Sequence, residues 1–217
     1  MKDLLIQFKA FLYDEKKYES VDLIMNELKS NSIDIVTLYT NILAPSLNTM
    51  ICEEEEKESF IWKEHIRSSI IRTIIENSFF YVMKEKNDKY KFEKKGKVLV
   101  ICPEEEYHEL GARMAADFFE LAGYDSIFVG ANTPKNDFIN SIKILNVDYV
   151  TISVTNPYNV FSIKDTIKRI KEKNPGIKII VGGHAFDSNP LLLQQVNADY
   201  HVKEFKDILA LEKEAIL

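Results

Sequence analysis

Up to Met83 the apolar positions return every three or four residues, as in Leu4, Leu5, Phe8, Phe11 and Leu12 and again in Val21, Ile24, Met25 and Leu28. That is the repeat of amphipathic helices. Four helices fit, at about 2–13, 17–30, 33–50 and 57–83, with Ser32 and Asp34 near the third start and Pro45 as a kink or break. Each would bury one stripe, so residues 1–83 read as an all-α four-helix bundle whose apolar side chains, Trp62 included, need no explanation beyond a core. From Lys84 the pattern gives way to Lys-Glu-Lys-Asn-Asp-Lys-Tyr-Lys-Phe-Glu-Lys-Lys-Gly, a charged stretch that reads as a linker over 84–96. Beyond Lys97 the period changes. Short apolar runs near 97–102, 125–129, 148–154, 177–181 and 198–202 alternate with helical patterns near 109–122, 134–145, 160–173, 187–196 and 204–215. Strands and helices in strict alternation imply a parallel sheet covered on both faces. The predicted fold of 97–217 is a flavodoxin-like, doubly wound, five-stranded parallel α/β domain. Gly123, Pro134 and Asn174-Pro175-Gly176 sit where helix ends and turns want them.

The charge of −6 and pI near 5.4 argue against a broad basic surface for nucleic acid or anionic lipid. No apolar run approaches a bilayer span, and Met1-Lys2-Asp3-Leu4 does not open a signal peptide, which points to a cytoplasmic protein. Cys52 and Cys102 are the only cysteines and lie outside any Cys-x-x-Cys spacing, so both read as ordinary apolar residues. No nucleophile with an adjacent base stands out, so nothing marks the chain as an enzyme in its own right.

The chemistry gathers where three predicted strands end. Ligands of open α/β sheets bind at the carboxyl edge. There the sequence places Glu106-Tyr107-His108 after the first strand, Ser153-Val154-Thr155 at the third and Gly182-Gly183-His184 at the fourth. A neutral imidazole at position 108 can coordinate a transition metal while Glu106 holds its other nitrogen and fixes the tautomer. Gly111 removes a side chain at a helix start, and Gly182 and Gly183 do so at a second strand end. The Ser153 and Thr155 hydroxyls can bond a buried polar ligand. Neither a Gly-x-Gly-x-x-Gly nor a Walker-type loop occurs, which favours a slot between strands over a phosphate cradle.

These residues resemble the motifs of the cobalamin-binding domain family, in which a four-helix cap precedes a flavodoxin-like domain carrying Asp-x-His-x-x-Gly, Ser-x-Leu and Gly-Gly. The resemblance implies that His108 is the lower axial ligand of cobalt. It also implies a corrinoid held between cap and α/β domain, with its nucleotide arm beside Ser153 and Gly182-Gly183. Glu106 stands where most members have aspartate and keeps the carboxylate; Thr155 stands where they have leucine and adds a hydroxyl. Within the family the chain is similar to the light-sensing repressors of the CarH type, which share the Glu-x-His-Glu-(Ile/Leu)-Gly form of the motif. They also carry a Glu-His pair in the last cap helix, here Glu64-His65. Where they carry a tryptophan ten residues before that pair, this chain has Glu54, and it has no counterpart of their DNA-binding segment.

The main expectation is therefore a cobalamin-binding sensor or regulatory module. It would be responsive to the upper cobalt ligand, with a light-sensitive cobalt–carbon bond as one trigger and adenosylcobalamin or methylcobalamin as cofactor, and would act through a partner protein or self-association. The alternative is the corrinoid methyl-carrier subunit of a methyltransferase system. Two further readings keep the fold but replace the corrin by haem or dispense with a cofactor.

Overall fold

A computed structural model describes residues 1–50 and 60–211. Cys52 and the Glu53–Glu56 run, with its Glu54, lie outside the described residues. The chain divides into two compact units, Met1–Lys89 and Tyr90–Leu217.

The first unit is helical. It contains α1 (Lys2–Tyr13), α2 (Lys17–Lys29), α3 (Ile35–Thr37), α4 (Ala44–Asn48) and the long α5 (Phe60–Glu85). The expected third helix is broken into three. Asp34 caps α3 by accepting the Thr37 N–H at 2.7 Å. A π-helical stretch, Leu38–Leu43, then leads into α4, whose second residue is Pro45. Proline has no N–H for the carbonyl four residues back, and a widened turn before it is one way a helix absorbs that loss. Phe8, Leu12, Ile24, Leu28, Leu38 and Ile42 meet Ile70, Ile71, Ile74 and Val82 of α5 in the core. Arg67 is buried with them, its guanidinium bonded to Glu15 Oε1 at 3.0 Å and the Tyr13 carbonyl at 3.0 Å. Trp62 is not core, contrary to expectation. It lies on the side of α5 away from that stripe and is 52% exposed, beside exposed Ile61 and Ile66. Helical structure also runs on into the stretch expected as linker, through Glu85 and a π turn over Lys86–Tyr90. Two ties explain it: Glu85 accepts the Ile35 N–H at 2.8 Å, and Lys89 pairs with Asp34.

In the second unit β1 (Lys97–Pro103), β2 (Asp125–Thr133), β3 (Tyr149–Ser153), β4 (Lys178–Gly182) and β5 (Tyr200–Val202) form one sheet in the order β2-β1-β3-β4-β5, every pair parallel. This is the predicted doubly wound, flavodoxin-like α/β fold. Its helices are α6 (Leu110–Leu121), α7 (Lys135–Leu145), α8 (Asn159–Lys173), α9 (His184–Ser188) and α10 (Phe205–Ala210). The stripe Val160, Ile163, Ile167 and Ile170 of α8 buries against Leu99, Val150, Ile152 and Val181. Such a side chain contributes roughly 1.5–3 kcal/mol when fully buried. The helix expected over 187–196 is instead α9 followed by a 3₁₀ turn, Pro190–Gln195. Pro190 is the reason: it holds Asn189 extended, at φ −143° and ψ 87°, and the helix cannot continue. Because β1 and β3 are hydrogen-bonded neighbours whose following helices lie on opposite faces, their carboxyl ends flank the crevice where chains of this fold bind ligands. Among the described residues no helix is long and apolar enough to cross a membrane.

Candidate functional site

After Pro103 the chain turns through the short loop 104–109, which is fastened on both sides. Glu105 has a φ of 67°, and its N–H donates to Asn132 Oδ1 at 2.9 Å. Asn132 returns its own N–H to the Glu106 carbonyl at 2.9 Å, and the Ala131 N–H donates to Glu109 Oε2 at 3.1 Å. The end of β2 thus anchors the loop before any ligand is considered.

On the other side the anchor is Glu106 itself, whose side chain is 1% exposed. Its Oε1 accepts from His108 Nδ1 at 2.5 Å and from the His108 backbone N–H at 3.2 Å. Its Oε2 accepts the N–H groups of Thr155 at 3.0 Å and Asn156 at 2.9 Å, and Asn159 Nδ2 at 3.2 Å. Burial alone would raise the Glu106 carboxyl. The His108 ring and the N–H groups of Asn156, His108 and Thr155 outweigh it and bring the pKa down to about 2. The same carboxylate, with Glu109, adds to burial in pushing the neighbouring Cys102 thiol up to about 12, so that cysteine is an inert apolar residue as expected.

A carboxylate held ionised against Nδ1 makes that nitrogen the protonated one and leaves the imidazole lone pair on Nε2. The ring reaches outward, with its side chain 57% exposed. Among the described residues no group of three or more His, Cys, Asp or Glu is arranged to hold a metal ion. A single imidazole can complete the coordination of a metal whose other ligands arrive with it, as in a tetrapyrrole-type macrocycle.

The other sequence-derived candidates divide. Gly111, in the first turn of α6, is exposed, and a Cβ there would meet nothing within 4 Å, so the space beside the loop is open. Ser153 is buried at the end of β3, in register with Gly182. Thr155 enters the cluster through its main chain, as a donor to Glu106. Gly182 and Gly183 are required first by the protein itself. A Cβ on Gly182 would stand 2.7 Å from the Val202 carbonyl oxygen, and one on Gly183 2.5 Å from that of Val154, at a φ of 101°. We therefore expect Gly183→Ala to cost about 3–5 kcal/mol of stability, combining left-handed strain with a backbone clash. A urea midpoint unchanged from wild type would refute this. Glu64 and His65 lie on α5 in the first unit, half-buried and exposed respectively. His184 is exposed at the start of α9. His201 packs edge-on to Phe186 with its Nε2 3.7 Å from Asp187.

Sequence reasoning missed the three asparagines. Asn132 lies near the end of β2, Asn156 follows β3 and Asn159 opens α8, all positions where a short amide side chain readily bonds nearby backbone. That generic role hid the fastening of the loop by Asn132 and of the Glu106 carboxylate by the Asn156 N–H and Asn159 Nδ2.

A parallel α/β domain that presents a carboxylate-backed imidazole at its carboxyl edge can offer that imidazole to a bound cofactor. Residues 96–211, more than half of the chain, match the B12 binding domain, and the chain belongs to that family, with cobalamin as its cofactor. It is 24% identical over 116 residues to dimethylamine corrinoid protein 3 of Methanosarcina acetivorans, covering 52% of this chain and 54% of that one. The chain spans about half the length of the curated relatives it matches. Among solved structures, the monomethylamine corrinoid protein of Methanosarcina barkeri superposes with a TM-score of 0.78 at 13% identity over 97% of both chains. The methanol:cobalamin methyltransferase complex MtaBC of the same organism gives 0.50 at 15% identity, over 97% of this chain and 78% of that one. These likenesses establish the corrinoid-protein fold.

Proposed function

We propose that this protein is a corrinoid methyl carrier, the subunit that holds cobalamin for a partner methyltransferase. The observation that carries the cofactor's placement is the Glu106–His108 pair, an outward imidazole whose Nδ1 is engaged by a carboxylate locked in place by four further N–H groups. His108 would hold the cobalt of that cofactor through Nε2. Glu106 fixes its tautomer and strengthens its basicity. The open space at Gly111 admits the edge of the macrocycle. When bound, the corrinoid supplies cobalt that accepts and gives up a methyl group, and the protein tunes it through the axial ligand and that ligand's partner. Methyl carriage takes precedence over the sensor expected from the sequence because the similar proteins include methylamine corrinoid proteins and a corrinoid–methyltransferase complex. Adenosylcobalamin and a light response belong to the displaced reading; methylcobalamin belongs to this one.

The test is to load the purified protein with reduced cobalamin and incubate it with an isotopically labelled methylamine or methanol and methyltransferases of the corresponding classes. Label is expected on the protein-bound corrinoid. No transfer, together with a change of oligomeric state on illumination of the adenosylcobalamin form, would return the function to sensing.

A further inference from the structure

Glu106 is held by its carboxylate from the side of β3, but its main chain is held from the side of β2. The donors of Thr155, Asn156 and Asn159 all reach the carboxylate. The peptide groups around Glu106 meet a single residue of β2 instead: the Glu105 N–H donates to Asn132 Oδ1, and the Glu106 carbonyl accepts the Asn132 N–H, both at 2.9 Å. Asn132 thus closes a two-bond clasp on the loop. Both sides of the clasp are left-handed, Glu105 at φ 67° and Asn132 at φ 49°. Residues other than glycine are uncommon in that region, and asparagine and aspartate enter it most readily. Asn132 falls in the register shift between the pairs Ile101–Gly130 and Pro103–Thr133, so no regular ladder dictates its conformation.

Glu105 and Asn132 are both exposed, so the clasp adds little to global stability. Two strained residues held for so small a return point to a local task. What hangs from the loop defines that task. The His108 ring stands exposed at the edge, tied through Nδ1 to Glu106 Oε1. The β3 side fixes the carboxylate end of that tie, while the direction of the ring also depends on the main chain from 105 to 108. Other contacts to this main chain are long: Asn159 Nδ2 lies 3.5 Å from the Glu105 carbonyl, and the Cys102 thiol 3.7 Å from that of His108. We infer that Asn132 is a positioning residue for the cobalt ligand, which by clasping the main chain around Glu106 sets the direction in which His108 presents Nε2. The inference rests on the corrinoid reading above and adds to it a residue outside the Glu106–His108 pair. The role requires a left-handed backbone and an acceptor on Cγ, which leaves asparagine and aspartate.

Asn132→Gly keeps the backbone conformation and removes the acceptor, whereas Asn132→Asp keeps both. Without ligand, Asn132→Gly should exchange the Glu105 amide hydrogen about three- to tenfold faster than wild type, the worth of one hydrogen bond, and melt within a few degrees of it. Loaded with cobalamin and reduced to cobalt(II), it should show the nitrogen hyperfine splitting of a histidine in only part of the protein. Its affinity should fall about tenfold, the low end of what removing the support of a metal-binding histidine costs. Asn132→Asp should recover both. A glycine variant with complete hyperfine splitting and wild-type affinity overturns the assignment, as does an aspartate variant no better than the glycine one. So does a Glu105 amide that exchanges in wild type as fast as in an unstructured peptide, a result that needs no variant to fold. A wild-type protein whose Glu105 amide is protected but which takes up no cobalamin overturns the corrinoid reading itself, and the assignment to cobalt with it.

Discussion

Glu106→Gln is expected to leave a folded protein that holds cobalamin poorly, with affinity or axial ligation down by about 10–100-fold, the range found when the partner of a metal-binding histidine is removed. The reason lies in how the donors are shared. Three N–H groups converge on Oε2, from Thr155, Asn156 and Asn159, so the amide oxygen of a glutamine must take that place. Its NH₂ then faces His108, where Oε1 had accepted from Nδ1. The least costly response is a tautomer switch: Nδ1 becomes the acceptor, the proton moves to Nε2, and the nitrogen proposed to hold cobalt can no longer coordinate. The His108 backbone N–H is left facing a donor, at about 1–3 kcal/mol. Acid titration gives an independent readout. Because the Glu106 carboxyl is held at about 2 in the folded protein against an ordinary 4.5, its stabilisation is complete above about pH 4.5 and is lost as the pH falls through about 2. It amounts to about 3 kcal/mol at most. The variant should lack this acid limb. A glutamine protein with wild-type corrinoid spectrum and wild-type acid unfolding would remove Glu106 from the role assigned to it.

The α/β unit was largely legible in the sequence because its elements obey strong local rules. The strand runs Val98–Cys102 and Lys178–Gly182 are too short and apolar to be anything else in an alternating chain, and the α8 stripe has a clear helical period. What misled were features whose outcome depends on partners distant in sequence. Lys86–Tyr90 reads as linker by composition, yet Asp34 and Ile35, some fifty residues earlier, give Lys89 and Glu85 something to bind. Trp62 reads as core by its size, yet the phase of α5 is set by Arg67, Ile70, Ile71 and Ile74, which leaves it outside.

The candidate site divides the same way. Glu106 and His108 lie two residues apart, so their hydrogen bond is a local matter and could be anticipated. The glycine pair was seen, but its burden was misjudged, since the backbone approach of Val154 and Val202 depends on how neighbouring strands end. Thr155 also donates its main-chain N–H to Glu106, a contact the sequence does not signal because every residue but proline possesses that group. Asn159 was invisible because its amide becomes functional only when the start of α8 comes beside the loop after β1. The clamp on Glu106 is therefore a product of topology: β1 and β3 must be adjacent, in parallel, before one carboxylate can collect donors from both of their loops.

His108→Ala is the complementary case, in which the ligand is lost and its support is kept. The ring is more than half exposed, and Glu106 retains the N–H groups of residue 108, Thr155 and Asn156 together with Asn159 Nδ2. One charge-assisted hydrogen bond disappears, so the ligand-free protein should lose only about 1–3 kcal/mol and melt cooperatively. Its corrinoid should change far more. Without an imidazole the visible spectrum should shift to that of a corrinoid lacking a protein nitrogen ligand, the cobalt(II) form should lose the nitrogen hyperfine splitting of a histidine, and affinity should fall by at least about a hundredfold, beyond what loss of a supporting residue costs. Free imidazole in the buffer should recover much of the spectrum, because the ring it replaces is more than half exposed and its position is open to solvent. A variant whose spectrum and hyperfine pattern match wild type would show that cobalt is not held by His108 at all, and the place of the cofactor on this edge would have to be sought elsewhere.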